Sequence, residues 1–201
     1  MNKIEQTEEE FLASYDASRY PKPSVTVDVL IVAADKILLI KRGNHPYKNR
    51  WALPGGFINM DEELSQAASR ELAEETGIKI DTLELIGVYG DVGRDPRDRV
   101  IGVAFGIVLP QEVASCAADD AKDSQWFTYK LTGTEQKAVL ELRHEEICLK
   151  SSLTLAKTPV SGRWKVKELL ESQLAFDHGK IIADGLLSFG KGDELVCAET
   201  I

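Results

Sequence analysis

Two glutamates one helical turn apart, Glu71 and Glu75, occupy positions where a helix should be apolar. Residues 54–78 have the pattern of a glycine loop followed by a helix that ends at Gly77, because glycine suits the left-handed backbone just beyond a helix. On a helical wheel both carboxylates fall within an apolar stripe formed by Leu64, Ala67, Ala68 and Leu72. An ionised carboxylate in such a stripe has to be neutralised by a proton, a cationic side chain or a metal ion.

Arg70 and a divalent cation are the candidates for that neutralisation. Arg70 precedes Glu74 by one helical turn and can pair with it, which leaves Glu71 and Glu75 for another cation. Mg²⁺ is a hard cation that proteins often hold with one or two carboxylates together with substrate phosphates. The Gly55–Gly56 pair removes side chains where backbone and phosphate have to approach closely. The stretch therefore predicts a magnesium site that handles a phosphate-containing ligand.

The spacing of these residues resembles the Nudix box. That box consists of glycine, five residues, Glu, seven residues, Arg-Glu, an aliphatic residue, any residue, Glu-Glu, any residue, glycine and an aliphatic residue. The chain matches all nine fixed positions with Gly56, Glu62, Arg70, Glu71, Leu72, Glu74, Glu75, Gly77 and Ile78. The alternative, an ordinary amphipathic helix with a few misplaced acids, does not explain why loop, helix, acids and stop signal agree.

Resemblance to Nudix hydrolases implies the fold class and the chemistry. The implied fold is α/β, an α/β/α sandwich with a mixed sheet, and the implied reaction cleaves a nucleoside diphosphate linked to another group. The resemblance also implies that Glu71 and Glu75, assisted by Glu74 and the Gly55 carbonyl, hold divalent metal ions, Mg²⁺ or Mn²⁺. Arg70 would orient the glutamates. The expected catalytic residues are thus Glu75, Glu71, Glu74, Arg70 and Glu62.

The general base stays open at this point. Members of the family differ in this residue, so resemblance does not select one. The candidates are two acids of the box and three loop acids, namely Glu62, Glu74, Asp91, Asp95 and Asp119.

Length, charge and cysteine content restrict the class of protein. The 201 residues fit one domain with an elaboration, and the net charge of −9 disfavours a general nucleic-acid binder. A metal-centred site can still hold phosphates despite the overall charge. The three cysteines, Cys116, Cys148 and Cys197, are scattered and indicate a reducing cytoplasm. The polar, acidic N-terminus and the lack of a long apolar run predict neither a signal peptide nor a membrane span.

Strands on both sides of the box must position it. Residues 25–33 are rich in β-branched side chains and predict a buried strand, followed after a short turn by a second strand over 37–41. After Gly77 the pattern predicts strands over 78–80, 83–89 and 100–109, and a short strand around 126–127. A helix is expected within 5–18, as part of an N-terminal extension over 1–20.

Basic and aromatic residues beside the box are candidates for substrate binding. Arg42 and Arg50, between the second strand and the box, could meet phosphate oxygens. Tyr47 or Trp51 could stack on a base, although core packing is the preferred interpretation for Trp51.

The loop over 90–99 narrows the resemblance to one branch of the family. Its Arg-Asp-Pro-Arg sequence, and the stretches 20–25 and 175–186, resemble Nudix proteins of NAD-related metabolism. That branch contains ADP-ribose pyrophosphatases, hydrolase halves of bifunctional nicotinamide mononucleotide adenylyltransferases, and transcription regulators that sense ADP-ribose derivatives. The resemblance implies cleavage of ADP-ribose to AMP and ribose 5-phosphate, with Arg94 and Arg97 at the substrate.

Two alternative functions remain. One is an ADP-ribose-sensing transcription regulator, which would need a basic module, although residues 131–201 contain only one basic cluster, Arg163, Lys165 and Lys167. The other is hydrolysis of a different nucleotide, such as a nucleotide sugar, NADH or an oxidised nucleoside triphosphate.

The stretch 129–174 is an insertion relative to that branch, within a single domain spanning 1–201. Apolar residues at alternate positions within 140–142 and 147–155 predict two strands, and a helix is expected from Trp164. A C-terminal helix over 175–190 and a frayed tail of ten residues complete the expectation. The resemblance implies a homodimer, for which Phe11, Leu12 and Tyr15 offer an apolar face. The insertion strands also need a cover, from a partner or from their own subunit.

Overall fold

The computed structural model describes residues 6–117 and 121–191. Its elements in chain order are α1 (Glu8–Ser14), a 3₁₀ turn (Ala17–Arg19), β1 (Ser24–Ala33), β2 (Lys36–Arg42), β3 (Trp51–Ala52), β4 (Gly55–Phe57), α2 (Leu64–Thr76), β5 (Glu84–Tyr89), β6 (Val100–Leu109), β7 (Ala121–Gly133), β8 (Ala138–His144), β9 (Ile147–Lys157), β10 (Trp164–Ser172) and α3 (His178–Ser188). The tail predicted for the last ten residues, together with Cys197 and Asp119, lies outside the described residues.

One mixed sheet connects the described strands. Its order is β10-β9-β8-β7-β2-β1-β6-β5, with β3 beside β2 and β4 beside β1. β1 runs parallel to β6 and antiparallel to β2 and β4. Because β1 is central and covered on both faces, its β-branched run is almost wholly buried.

The helices α2 and α3 cover opposite faces of this sheet. On one face Ala67, Ala68 and Leu72 of α2 pack with Val27, Val29 and Ile31 of β1. On the other face Ile181, Ile182 and Leu186 of α3 pack with Leu30 and Val32. Successive residues of a strand point to opposite faces, so β1 contributes to both layers. The predicted α/β/α sandwich with a mixed sheet is confirmed.

The end of α2 follows the sequence pattern. Gly77 has φ 73°, and its N–H donates to the carbonyl of Ala73. A side chain at Gly77 would meet no atom within 4 Å, so the left-handed backbone is the reason for glycine here. The adjacent strand predicted over 78–80 is absent, since these residues form an irregular segment that packs Ile78 under α2.

The stretch 129–174 extends the central sheet through long antiparallel strands. The strand predicted around 126–127 is β7, which has 13 residues and joins β2 to the hairpin β8–β9. Leu140, Leu142 and Leu153 are buried against other residues of the same core. Their cover therefore belongs to their own subunit.

The helix expected from Trp164 is wrong, because these residues form β10 against β9. Two bulges, between Val166 and Glu168 and between Leu169 and Glu171, each add a residue to β10. They set the inward-facing side chains at Trp164, Val166 and Leu169. Val166, Leu169 and Leu170 are three and four residues apart, which is the spacing of a helix face and the source of the wrong expectation.

Candidate active site

A cleft of about 340 Å³ opens where β4, α2, the 90–99 loop and the start of α3 meet. Its lining includes Thr26, Asp28, Arg42, Gly55, Gly56, Phe57, Glu71, Glu74, Glu75, Arg94, Asp95, Arg97, Phe176 and His178. Acidic side chains from α2 line one side, and arginines and aromatic rings line another.

Glu75 is held against the glycine loop. It is only 5% exposed, and its Oε2 accepts a hydrogen bond of 2.9 Å from the N–H of Gly55. A Cβ at Gly55 would overlap the carbonyl oxygen of Val27 in β1, so the loop reaches this position only with glycine. The glycine loop and the helix are thereby joined through a buried carboxylate.

Glu71 depends on the second glycine. A Cβ at Gly56 would lie 2.6 Å from the carboxylate of Glu71, so any larger residue would displace that carboxylate. Burial raises the pKa of Glu71, although its pairing with Arg70 opposes this shift. The glycine pair therefore provides space for the two glutamates as well as for a ligand.

Arg70 links three of the four acids of the box. Its guanidinium donates to both oxygens of Glu62 at 2.9 and 2.6 Å, and to Glu71 and Glu74 at 2.8 Å each. These hydrogen bonds, with one from the Asn59 N–H, lower the pKa of Glu62 to about 2. Glu75, the fourth acid, is bonded to the Gly55 N–H instead, and it lines the cleft together with Glu71 and Glu74.

Carboxylates suit a divalent cation by charge and by ligand type. Within the ranges 6–117 and 121–191, however, no three His, Cys, Asp or Glu side chains form a ready-made metal site. Arg70 donates to Oε1 of Glu71 and to Oε2 of Glu74, and the Gly55 N–H donates to Oε2 of Glu75. Each of these glutamates therefore has one oxygen bonded to the protein.

A second polar network forms the floor of the cleft. Arg94 is buried and bonds both oxygens of Asp177 at 2.9 and 2.7 Å. His178 accepts the Leu53 N–H at Nδ1, at 2.8 Å, and its Nε2 lies 3.4 Å from Oδ1 of Asp28. Burial lowers the pKa of His178 and raises that of Asp28. This network attaches the start of α3 to β1 and to the loop before β4.

Sequence comparison assigns the family. The NUDIX domain family matches residues 22–147, more than half of the chain. The chain belongs to the Nudix family. It is 45% identical over 109 residues to an ADP-ribose pyrophosphatase of Methanocaldococcus jannaschii, which covers 54% of this chain and 63% of that protein. It is 38% identical over 128 residues to an ADPR-responsive transcriptional repressor of Acinetobacter baylyi, which covers 61% of this chain and 51% of the repressor.

A solved Nudix structure extends the likeness to the fold. The NUDIX domain of Shewanella oneidensis NrtR, complexed with ADP ribose, superposes with a TM-score of 0.65 at 26% identity. The match covers 91% of this chain and 99% of that one, in contrast to the partial coverage of the two curated relatives.

The structure brings most of the residues expected from the Nudix box together, but it separates the arginines. Arg42, Arg94 and Arg97 line the cleft, and Arg50 does not. The guanidinium of Arg50 lies over the Tyr47 ring at 5.5 Å and donates to the Leu174 carbonyl. Arg50 precedes β3, which pairs with β2, and this pairing directs the loop away from the cleft. Trp51 is core, as preferred, and packs on Phe127.

The candidates for the general base also separate. Asp91 pairs with Lys180 outside the cleft, and Glu62 pairs with Arg70 outside it. Burial alone would raise the pKa of Asp95, but the N–H and guanidinium of Arg97 bond its carboxylate and lower that pKa. Glu74 lines the cleft, and its side chain is 44% exposed.

Among the cleft residues that sequence reasoning missed, four have aromatic or ionisable side chains: Asp28, Phe57, Phe176 and His178. Asp28 is the one acid within a run of strand residues, and that anomaly could have revealed it. Phe176 and His178 lie in a stretch noted only for its resemblance to the NAD-related branch. Phe57 follows the glycine pair and has no distinguishing pattern of its own.

Proposed function

We propose that this protein is a Mg²⁺-dependent pyrophosphohydrolase that splits ADP-ribose into AMP and ribose 5-phosphate. The observation that carries the proposal is that Glu71, Glu74 and Glu75 line one cleft together with the glycine loop, Arg42 and Arg97. Arg70 bonds Glu71 and Glu74, and the Gly55 N–H bonds Glu75. The acids suit a metal ion, and an arginine suits a diphosphate. The relatives named above, one an ADP-ribose pyrophosphatase and one a domain complexed with ADP ribose, support the choice of substrate.

Each group then has a defined task. Glu71, Glu75 and Glu74, with the Gly55 carbonyl, would hold the metal ion, and Arg70 keeps the carboxylates oriented. When bound, the divalent cation supplies charge neutralisation for the diphosphate and a more acidic water molecule. Arg42 would contact phosphate oxygens, and Arg97 would contact another part of the substrate, so catalysis consists mainly of positioning and charge stabilisation.

Glu74 is the best general base among the five acids considered. The reaction adds water across the diphosphate, so one proton must leave the attacking water as the P–O bond breaks. Glu62 has a pKa of about 2 and is a weak base at neutral pH. Asp95 is held by Arg97, Asp91 lies outside the cleft, and Asp119 lies outside the described residues. A Glu74→Gln variant should lose kcat while retaining KM, as expected for a group needed only in the transition state.

A chromatographic screen tests the substrate. ADP-ribose, NADH, nucleotide sugars and nucleoside triphosphates should be incubated with the protein and Mg²⁺, and with Mn²⁺ in parallel. We expect ADP-ribose to have the highest kcat/KM and to yield AMP and ribose 5-phosphate in equal amounts. More efficient turnover of nucleoside triphosphates would refute ADP-ribose as the preferred substrate.

A ligand-sensing regulator is the second candidate, because the chain is 38% identical to the ADPR-responsive repressor over 128 residues. The structural support is weaker. Of the described helices, α2 and α3 pack on the sheet and α1 is short and acidic, so none offers an exposed basic surface. Lys165 and Lys167 lie on strand β10, beside Glu168 and Glu171. A gel-shift assay against promoter DNA, with and without ADP-ribose, separates this function from hydrolysis.

A homodimer belongs to the same proposal. Phe11, Leu12 and Tyr15 of the N-terminal segment are 50, 63 and 52% exposed, and they form an apolar face. The hairpin β8–β9 no longer supports an interface, since its apolar side chains are covered within the subunit. Light scattering at micromolar concentration should give a dimer mass that falls in a Phe11→Ser/Leu12→Ser variant.

The cytoplasmic location stays a prediction. Cys116 and Cys148 are free thiols in the described part of the chain, and no helix there is long and apolar enough to span a membrane.

A further inference from the structure

Alternating guanidinium groups and aromatic rings form a layer at the cleft. Arg42 lies over the ring of Phe176 at 4.9 Å, and Arg97 lies over Phe57 at 4.9 Å and over Phe176 at 5.7 Å. All four side chains line the cleft, although they come from four separate parts of the chain. Guanidinium planes and aromatic rings stack favourably on each other and on other flat π systems.

Phe57 exposes a large aromatic side chain inside the cleft. It is 44% exposed and lines the cleft. Its carbonyl accepts a hydrogen bond of 3.1 Å from Arg70, the same residue that holds Glu62, Glu71 and Glu74. The position of Phe57 is therefore tied to that of the acidic cluster.

The ring and the acids belong to the same cleft. Phe57 follows the glycine pair in β4, and it lines the cleft together with Glu71 and Glu75. In a nucleotide a sugar ring separates the flat base from the phosphate. A ligand can therefore place its phosphate at the acids and its base on the Phe57 ring.

Phe176 is placed by a strained backbone. It has φ 49°, which is a genuine outlier for a bulky residue. The next two residues hold this conformation, because Asp177 is bonded to Arg94 and His178 is bonded to the Leu53 N–H. Strain that surrounding contacts maintain in this way concentrates at ligand sites. Here it turns the ring toward Arg42 and Arg97.

We propose that Phe57, backed by Arg97 and Phe176, is the platform on which the nucleobase of the substrate stacks. The inference rests on the proposed function for the identity of the substrate, and it adds the class of ligand group, a purine ring, and the residues that recognise it. Stacking on an aromatic ring stabilises a bound base whatever its identity, so the loss of the ring should raise KM.

The test compares ligands with and without a base. Inhibition constants for AMP and for ribose 5-phosphate, and kcat and KM for ADP-ribose, should be measured for wild type, Phe57→Leu, Arg97→Lys and Tyr20→Leu. Tyr20 is an exposed aromatic residue outside the cleft and serves as the control. We expect Phe57→Leu to raise the AMP constant and the KM about 10-fold, with kcat and the ribose 5-phosphate constant unchanged. Arg97→Lys keeps the charge but loses the planar stack, so it should give a smaller rise in the same two values.

Several results would contradict the proposal that the nucleobase stacks on Phe57. One is an unchanged AMP constant in Phe57→Leu, and another is an equal loss for AMP and ribose 5-phosphate, which would indicate a general distortion of the cleft. Calorimetric titration of AMP keeps the test independent of turnover. The wild-type protein could bind AMP without hydrolysing ADP-ribose, and Phe57→Leu could abolish that binding. In this case the proposed function fails, while the role of Phe57 in stacking the base stands. If wild type binds no AMP up to millimolar concentration, the platform fails.

Discussion

The helices α2 and α3 both bury carboxylates against the same sheet, but they do so in different ways. On α3, Asp184 accepts the Val166 N–H through one oxygen at 2.7 Å and the Tyr89 hydroxyl through the other at 3.1 Å. On α2, the acids share Arg70 and the Gly55 N–H, and Glu71, Glu74 and Glu75 line an open cleft.

The difference separates a structural acid from a functional one. Asp184 has a neutral donor for each oxygen, lies away from the cleft and joins α3 to β10 and β5. Glu71, Glu74 and Glu75 of α2 line the cleft, where a ligand can enter. A buried carboxylate is thus more informative about function when it faces a cleft than when it only joins elements of the core.

Breaking the ion pair at the start of α3 should have the largest effect. Arg94→Met leaves Asp177 buried without its partner, which typically costs about 3–5 kcal/mol of unfolding free energy. Denaturant unfolding measures this loss. As a control, Arg143→Met removes an exposed partner of Glu141 and should leave the unfolding midpoint unchanged. Equal midpoints for the two variants would show that the Arg94–Asp177 pair does not anchor α3.

Glu75→Gln on α2 should reduce catalysis rather than stability. We expect kcat to fall at least about 100-fold, or about 2.7 kcal/mol of transition-state stabilisation, while the fold is kept. Glu71→Gln should behave similarly, and both variants should bind metal more weakly in calorimetric titrations. Near-native kcat at saturating Mg²⁺ in either purified variant would refute the assignment of these acids to the metal.

Asp184→Ala should destabilise the protein without a specific effect on catalysis. It leaves the Val166 N–H and the Tyr89 hydroxyl unpaired in the core, at a cost of about 1–3 kcal/mol. The kcat per folded molecule should stay at the wild-type value when measured well below the melting temperature. A selective loss of kcat in a stable variant would place Asp184 with the functional acids.

Arg97→Ala should act on substrate binding. We expect KM for ADP-ribose to rise about 5- to 10-fold with a smaller change in kcat, equivalent to about 1 kcal/mol of lost ground-state binding. Steady-state kinetics separates the two parameters. A larger fall in kcat than rise in KM would assign Arg97 to the transition state.

The smallest expected effect is a pH dependence of stability. Burial raises the pKa of Asp184 above its ordinary value of 3.8, so the folded state binds this proton more tightly than the unfolded state. The contribution to stability is therefore fully present below pH 3.8 and is lost as pH rises through the folded-state pKa. Asp184→Asn removes this dependence, so the difference in unfolding free energy between wild type and the variant should change over that window. A difference that is constant with pH would contradict the raised pKa.

Local spacing allowed the sequence alone to identify the box, and the resemblance carried by the box then implied the family and the layers of the fold. Positions one helical turn apart share a face, so Glu71 and Glu75 are neighbours in any structure in which that helix forms. Gly77 likewise ends the helix for a reason confined to its own backbone. The β-branched run of β1 marks a buried strand in the same way, and each of these inferences needs only a few consecutive residues.

Contacts between distant segments were decided by the tertiary structure. Arg94 and Arg97 are the same residue type in the same loop, yet their partners differ. Arg94 is hydrogen-bonded to Asp177, 83 residues away, whereas Arg97 lies over the ring of Phe57. The residues from Trp164, for which a helix was expected, form β10 because they pair with β9, with two bulges. The aromatic layer likewise assembles residues from four segments, because sheet pairing and the packing of α3 place them together. The spacing of nearby residues does not indicate which distant segments come into contact, so only the folded structure shows these partners.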